Sequence, residues 1–104
     1  MKAEENSGKD HKRRPTYVYI VECCDGSYYT GMAINVKERL GQHNSGKGAK
    51  YTRSRLPVKL VYVETRVSLS DALKRERQIK QLKRGQKEAL ILEGRGLPKK
   101  FRSL

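Results

Sequence analysis

Apolar positions recur with two different periods along this chain, and the switches between those periods mark its elements. Residues 1 to about 15, MKAEENSGKDHKRRP, carry no apolar period and read as a flexible basic arm. Residues 17–23, YVYIVEC, are rich in aromatic and β-branched side chains, which is the composition of a strand. Asp25-Gly26 is a turn signal, and residues 28–31 read as the returning strand of a hairpin. The period then lengthens. In residues 35–44, Val36 and Leu40 stand at i and i+4 and predict a helix. Residues 45–55, SGKGAKYTRSR, form a basic glycine-containing loop, and residues 58–64, VKLVYVE, alternate as a third strand. Residues 68–83 predict a longer helix, opened by Ser68 with Asp71 three positions on as a capping box. Residues 87–93 predict a last helix closed by Gly94, and 95–104 a frayed basic tail. No internal repeat is visible. One domain over residues 16–94 with the order ββαβαα predicts a small α/β (α+β) fold, a three-stranded sheet flanked by helices.

Two helices carry polar residues where the period calls for apolar ones. Each helical residue advances about 100° around the axis. Arg39 stands three after Val36 and His43 three after Leu40, so both fall beside or within the apolar stripe. They either snorkel outward past that stripe or point at the sheet. In the longer helix, Leu69, Ala72, Leu73, Ile79 and Leu82 mark the stripe, and Glu76 falls at its centre. A buried carboxylate without a partner is costly. Glu76 therefore pairs with a cation, Arg39 being one choice, takes up a proton, or binds a hard divalent metal. Mg²⁺ is commonly held by one or two carboxylates, with water and substrate phosphate completing its shell.

Charge changes the picture next. The chain of 104 residues has 24 Lys+Arg against 11 Asp+Glu, a net charge of +13. That excess runs along the whole chain and favours a polyanionic partner, nucleic acid before an anionic membrane. No apolar run approaches the ~18 residues of a membrane span, and the N-terminus lacks the apolar centre of a secretory signal. A cytoplasmic protein is the expectation. Cys23 and Cys24 are adjacent, so a strand would aim them at opposite faces. They read as free thiols of a reducing compartment. His11 and His43 lie far apart and no C-x-x-C occurs, which argues against a zinc site.

Arg39, His43, Glu76 and the tyrosines together resemble the GIY-YIG nuclease superfamily. Tyr17-Val18-Tyr19 matches its first signature and Tyr29-Thr30-Gly31 its second, and the likeness extends to about Ile91. Arg39 and Glu76 fall at the family's helix arginine and metal-binding glutamate. His43-Asn44 with the Ser45-Gly46-Lys47-Gly48 that follows is similar to the branch containing the eukaryotic junction-cutting nuclease subunit. Overall the chain looks most like small stand-alone bacterial members. It departs from the pattern at Tyr17, where the superfamily name has Gly, and at Met32, where the repair-excision branch often has lysine. No asparagine follows Glu76.

The resemblance implies a GIY-YIG fold and a metal-dependent, structure-specific DNA endonuclease of the repair or recombination type. Glu76 would hold one Mg²⁺ or Mn²⁺, and Arg39 would bind the scissile phosphate. Tyr19 and Tyr29 would line the site, one of them as general base, with His43 binding phosphate or sharing the proton work. Lys47, Lys50, Arg53 and Arg55 would contact the nucleic acid, DNA before RNA, with Tyr17 at the edge. Gly31 would allow a close approach. The alternatives are a nucleic-acid-binding module that kept the fold without efficient catalysis, and a nuclease subunit that needs a protein partner, one that could supply its substrate specificity.

These roles make a demand on the hairpin. With a two-residue loop at Asp25-Gly26, Val21 would oppose Thr30, and Tyr19 and Tyr29 would lie on opposite faces. With a three-residue loop, Cys24-Asp25-Gly26, Val21 opposes Tyr29 and the two tyrosines share a face. Tyr28 then turns to the other side. The second arrangement needs Gly26 at positive φ.

Overall fold

The computed structural model describes residues 15–94 and 97–102. The expected arm over residues 1–15 lies outside the described residues except for Pro15, as do residues 95, 96, 103 and 104 of the expected tail. Strand β1 (Thr16–Glu22) is the centre of a three-stranded antiparallel sheet, between β2 (Tyr28–Ala33) and β3 (Lys59–Arg66). Four helices, α1 (Val36–Asn44), α2 (Lys50–Arg53), α3 (Leu69–Lys80) and α4 (Arg84–Glu93), and a 3₁₀ turn (Lys99–Phe101) complete the fold. Among the described residues no helix is long and apolar enough to cross a membrane.

The centre of β1 is buried from Val18 to Val21 because both sheet faces are covered. On one face Tyr19, Val21 and Cys23 pack with Val36 of α1, Leu60 and Val63 of β3, and Phe101. On the other, Val18 and Ile20 pack with Ala72 and Ile79 of α3, flanked by Leu90 and Ile91 of α4. The expected frayed tail is corrected over 97–101. Phe101 is only 7% exposed and meets the Tyr17 ring edge-on at 5.5 Å, because its apolar ring closes the end of the α1-side core.

The alternation expected through residues 58–64 breaks once. Ile20 opposes Tyr62 but Val21 opposes Leu60, which leaves Val61 as a bulge. Val63 thereby joins Leu60 on the α1 side, while Tyr62 and Glu64 turn toward α3. There the Glu64 carboxylate accepts hydrogen bonds from Arg75 (2.7 Å), Arg66 (3.1 Å) and the Tyr62 hydroxyl (2.5 Å). Arg66 also forms a two-pronged pair with Asp71 at 2.9 and 3.0 Å.

That network sets the rotation of α3. Leu69 and Leu73, expected in the apolar stripe, are 57% and 39% exposed, while Ala72 and Ile79 are fully buried. Arg75 takes an inward position because Glu64 waits for it. Ser68 caps the helix by accepting the Asp71 N–H at 3.1 Å. The Asp71 carboxylate serves Arg66 and the Val67 N–H instead of returning to Ser68, so half of the expected capping box forms. Helix α4 begins at Arg84, earlier than its apolar period suggests, because Gln86 Oε1 accepts the Lys83 N–H at 2.8 Å.

Candidate active site

The β1–β2 hairpin closes through a three-residue loop. The Cys23 N–H donates to the Ser27 carbonyl (2.8 Å) and the Gly26 N–H to the Cys23 carbonyl (2.9 Å), with Gly26 at φ +85°. A side chain at that φ is strained, so glycine suits the corner. Asp25 braces the loop by accepting from the Ser27 N–H (3.0 Å), the Ser27 hydroxyl (2.6 Å) and Arg55 (3.1 Å). Val21 therefore opposes Tyr29. Tyr17, Tyr19 and Tyr29 pack on the α1 face. Tyr28 packs on the α3 face, with the Arg84 guanidinium 4.5 Å from its ring centre.

Tyr19 opposes Gly31 in the ladder. Its phenol lies over that glycine, and a Cβ there would stand 2.5 Å from the hydroxyl oxygen. The missing side chain lets the Tyr19 hydroxyl reach His43 Nε2 at 2.7 Å. His43 is fully buried near the end of α1, a helix capped by the Asn35 side chain accepting the Glu38 N–H at 3.0 Å. A second glycine makes room on its other side. A Cβ on Gly48 would overlap His43 Nδ1 and its ring.

The segment expected as a basic loop contains helix α2, and α2 supplies the residue that orients the histidine. Thr52 Oγ1 lies 2.9 Å from His43 Nδ1 and donates its own proton to the Ala49 carbonyl at 3.0 Å. Having given its proton to Ala49, Thr52 acts as acceptor toward Nδ1. The proton of the neutral imidazole is then on Nδ1, and Nε2 is a bare lone pair facing the Tyr19 O–H. Tyr19, His43, Thr52 and Ala49 thus form one directed chain of hydrogen bonds. Sequence reasoning missed Thr52. The only signal for it was that a buried histidine needs partners at both ring nitrogens.

Burial pushes the Tyr19 hydroxyl up to about 12; the Arg39 guanidinium pulls against that rise, and the charges of Tyr29 and Glu76 add to it. Burial, then the Arg39 charge, lowers His43 below the usual histidine range. At neutral pH the pair is a protonated phenol facing a neutral imidazole.

Tyr29 stands beside this pair, its ring 5.4 Å from that of His43. Its other neighbours are Tyr51, stacked at 6.1 Å, and the Lys80 ammonium at 5.8 Å. Arg55 covers Tyr51 at 3.9 Å and donates to the Tyr51 carbonyl at 2.7 Å. Tyr51, absent from the sequence reading, therefore props Tyr29. Arg39 is half-buried, donates to Gln42 Oε1 at 2.9 Å, and lines a groove of about 460 Å³ with Met32 and Asn35. Lys47, Lys50 and Arg53 are exposed around α2, whereas Arg55 is engaged with Asp25 and Tyr51.

Glu76 reaches the site differently from Arg39 and His43. The sequence pattern turns all three toward the sheet without saying which face, and α3 packs on the face opposite α1. Helix α3 packs against the edge strand β2, where Lys80 approaches Tyr29, and the Glu76 charge is felt by Tyr19 on β1. The cation paired with Glu76 is Lys80 at 3.6 Å rather than Arg39. Among the described residues no group of three His, Cys, Asp or Glu forms a protein-only metal cage. A single largely buried carboxylate, 17% exposed, still suits a hard cation that takes its other ligands from water and phosphate. On the α3 side of β2, Thr30 Oγ1 is buried without a hydrogen-bond partner among the described residues.

Comparison with known proteins places this arrangement. A model of the GIY-YIG catalytic domain matches residues 15–89. A UPF0213 protein of Halobacterium salinarum is 55% identical over 75 residues, covering 72% of this chain and 97% of that protein. One from Syntrophus aciditrophicus is 59% identical over 76 residues, covering 72% and 87%. The solution NMR structure of a UPF0213 protein from Bacillus halodurans is 48% identical with a TM-score of 0.51, covering 77% of this chain and 86% of that one. A protein from E. faecalis, also solved by NMR, is 39% identical with a TM-score of 0.55 over 79% and 88%. The two solved relatives share the fold over most of their length.

Proposed function

The chain belongs to the GIY-YIG family, and from that membership we propose that it is a metal-dependent endonuclease hydrolysing phosphodiester bonds of DNA, selected by structure more than by sequence. The observation that carries this reading is the directed chain from Tyr19 through His43 to Thr52, set beside Arg39. Arg39 presents a planar guanidinium to the oxygens of the scissile phosphate, where charge develops. Glu76 would hold one Mg²⁺ or Mn²⁺, which when bound polarises the phosphate. Lys47, Lys50 and Arg53 engage flanking phosphates, which position the duplex without reading bases.

Tyr19 serves as the base through His43. With its hydroxyl near 12, Tyr19 is ionised in only about one molecule in 10⁵ at pH 7. A standing phenolate is therefore a poor base here. As the attacking water gives its proton to the Tyr19 oxygen, the phenol proton passes to His43 Nε2. Thr52 keeps that nitrogen free by holding the Nδ1 proton. Tyr29 shapes the wall beside His43.

The free thiols Cys23 and Cys24 agree with a reducing, cytoplasmic location. Incubation with branched, flapped, nicked and linear DNA in Mg²⁺ tests the reading. Cleavage that falls about 100-fold or more in Glu76→Gln supports it. If the wild type cuts none of these, or the variant cuts equally well, the reading of Glu76 as the metal ligand of a nuclease fails.

A further inference from the structure

The groove at Arg39 does not end there. It adjoins a second groove of about 410 Å³, walled by Tyr17, Lys37, Lys100 and Phe101, and Ile34 lines both. That volume lies within the roughly 300–1,000 Å³ of sites for small organic groups. Ile34 is 49% exposed and forms an apolar ridge between the two grooves. The Tyr17 ring is braced edge-on by Phe101 at 5.5 Å, and the Lys100 ammonium donates to its hydroxyl at 3.0 Å. Among the described residues no carboxylate pairs with Lys37 or Lys100. An aromatic wall with ammonium groups at the rim matches a nucleotide, with the base against the ring and the phosphate against the cations.

We propose that this groove is a subsite for one unpaired nucleotide of the cleaved strand, adjacent to the scissile phosphate at Arg39. Ile34 is the wedge that parts the unpaired base from the duplex, as exposed apolar side chains do when inserted between base steps. The placement of the scissile phosphate rests on the nuclease reading above; the recognition itself needs no chemistry. The preferred substrate is accordingly a boundary between paired and unpaired strand, since a blunt duplex offers no base to fill the groove.

The test is binding of fluorescently labelled DNA to the full chain without divalent metal, so that cleavage does not intrude. The probes are a blunt duplex, the same duplex with a short single-stranded flap, and that flap made abasic. The flap should bind about 10-fold tighter than the blunt duplex, and the abasic flap should lose that advantage. Ile34→Ala and the double variant Lys37→Ala/Lys100→Ala alter exposed side chains, and each should bring the preference within about twofold of unity. Equal affinity for flap and blunt DNA in the wild type, or full preference for the abasic flap, overturns the subsite. A protein that cuts DNA through Glu76 yet shows no flap preference sinks the subsite and leaves the nuclease reading standing. A protein that prefers the flap but cuts nothing supports the subsite and sinks the nuclease reading.

Discussion

Tyr19 and Gly31 face each other across the β1–β2 ladder, and the phenol of one occupies the space where a side chain of the other would stand, 2.5 Å from a Cβ. Neither can change without moving the Tyr19 hydroxyl. Gly31→Ala should therefore displace Tyr19 and lower the cleavage rate about 100-fold, the usual cost of misplacing a reacting group by about 1 Å. Overpacking should also cost about 1–3 kcal/mol in denaturant unfolding. An alanine variant as active as the wild type would mean that Tyr19 is not held by this contact.

The Thr52 hydroxyl assigns the His43 tautomer. Nitrogen NMR of the imidazole should find the proton on Nδ1 at neutral pH. Thr52→Val leaves that N–H without an acceptor, which should cost about 1–3 kcal/mol of stability. It should also raise the population of the Nε2–H form and slow cleavage. A wild-type imidazole protonated on Nε2 contradicts the proposed handover from Tyr19.

The fold was legible in the sequence to the extent that its patterns were local. The period-2 and period-3.6 runs located β1, β2, β3, α1 and α3, and the requirement that Tyr19 and Tyr29 share a face matched the three-residue turn at Gly26. What escaped was created by tertiary pairing. The bulge at Val61 depends on the partner strand, the rotation of α3 depends on Glu64 meeting Arg75, and α2 has no apolar period to announce it. Tyr19, Tyr29, Arg39, His43 and Glu76 were named from the sequence, but the packing of the Glu76 helix on the sheet face opposite α1 was not. Thr52 and Tyr51 act only through His43 and Tyr29, so no pattern of their own marks them.

Glu64 ties β3 to α3, and its titration gives the tie a pH dependence. Burial alone would raise its pKa, but the hydrogen bonds from Arg75 and Tyr62 and the charges of Arg75 and Arg66 outweigh that and hold it below the ordinary 4.5. A carboxyl depressed on folding stabilises above its unfolded pKa and loses that contribution as pH falls through the folded value. Glu64→Gln should cost about 1–3 kcal/mol at pH 7 by denaturant unfolding, and the gap from the wild type should close below about pH 4. A pH-independent gap would show that packing, not charge, is what the variant removes.

Thr30 is the opposite case, a buried hydroxyl with no partner among the described residues. Thr30→Val removes that unpaired oxygen and should raise stability by about 1 kcal/mol in thermal unfolding. A loss of stability instead would mean that the hydroxyl is hydrogen-bonded in solution.

The most direct test of the relay is the pH dependence of single-turnover DNA cleavage at saturating metal. His43 accepts the phenol proton only when neutral, and its pKa lies below the usual histidine range, so the acceptor is present above that value and lost as pH falls through it. Tyr19 remains protonated until about 12. The rate should rise through an acid limb below about pH 6.5 and then stay flat through pH 9, and His43→Ala should abolish the limb together with most of the activity. A rate that climbs tenfold per pH unit from 6 to 9, the signature of a standing phenolate or hydroxide as base, would contradict the account, as would the absence of cleavage at every pH.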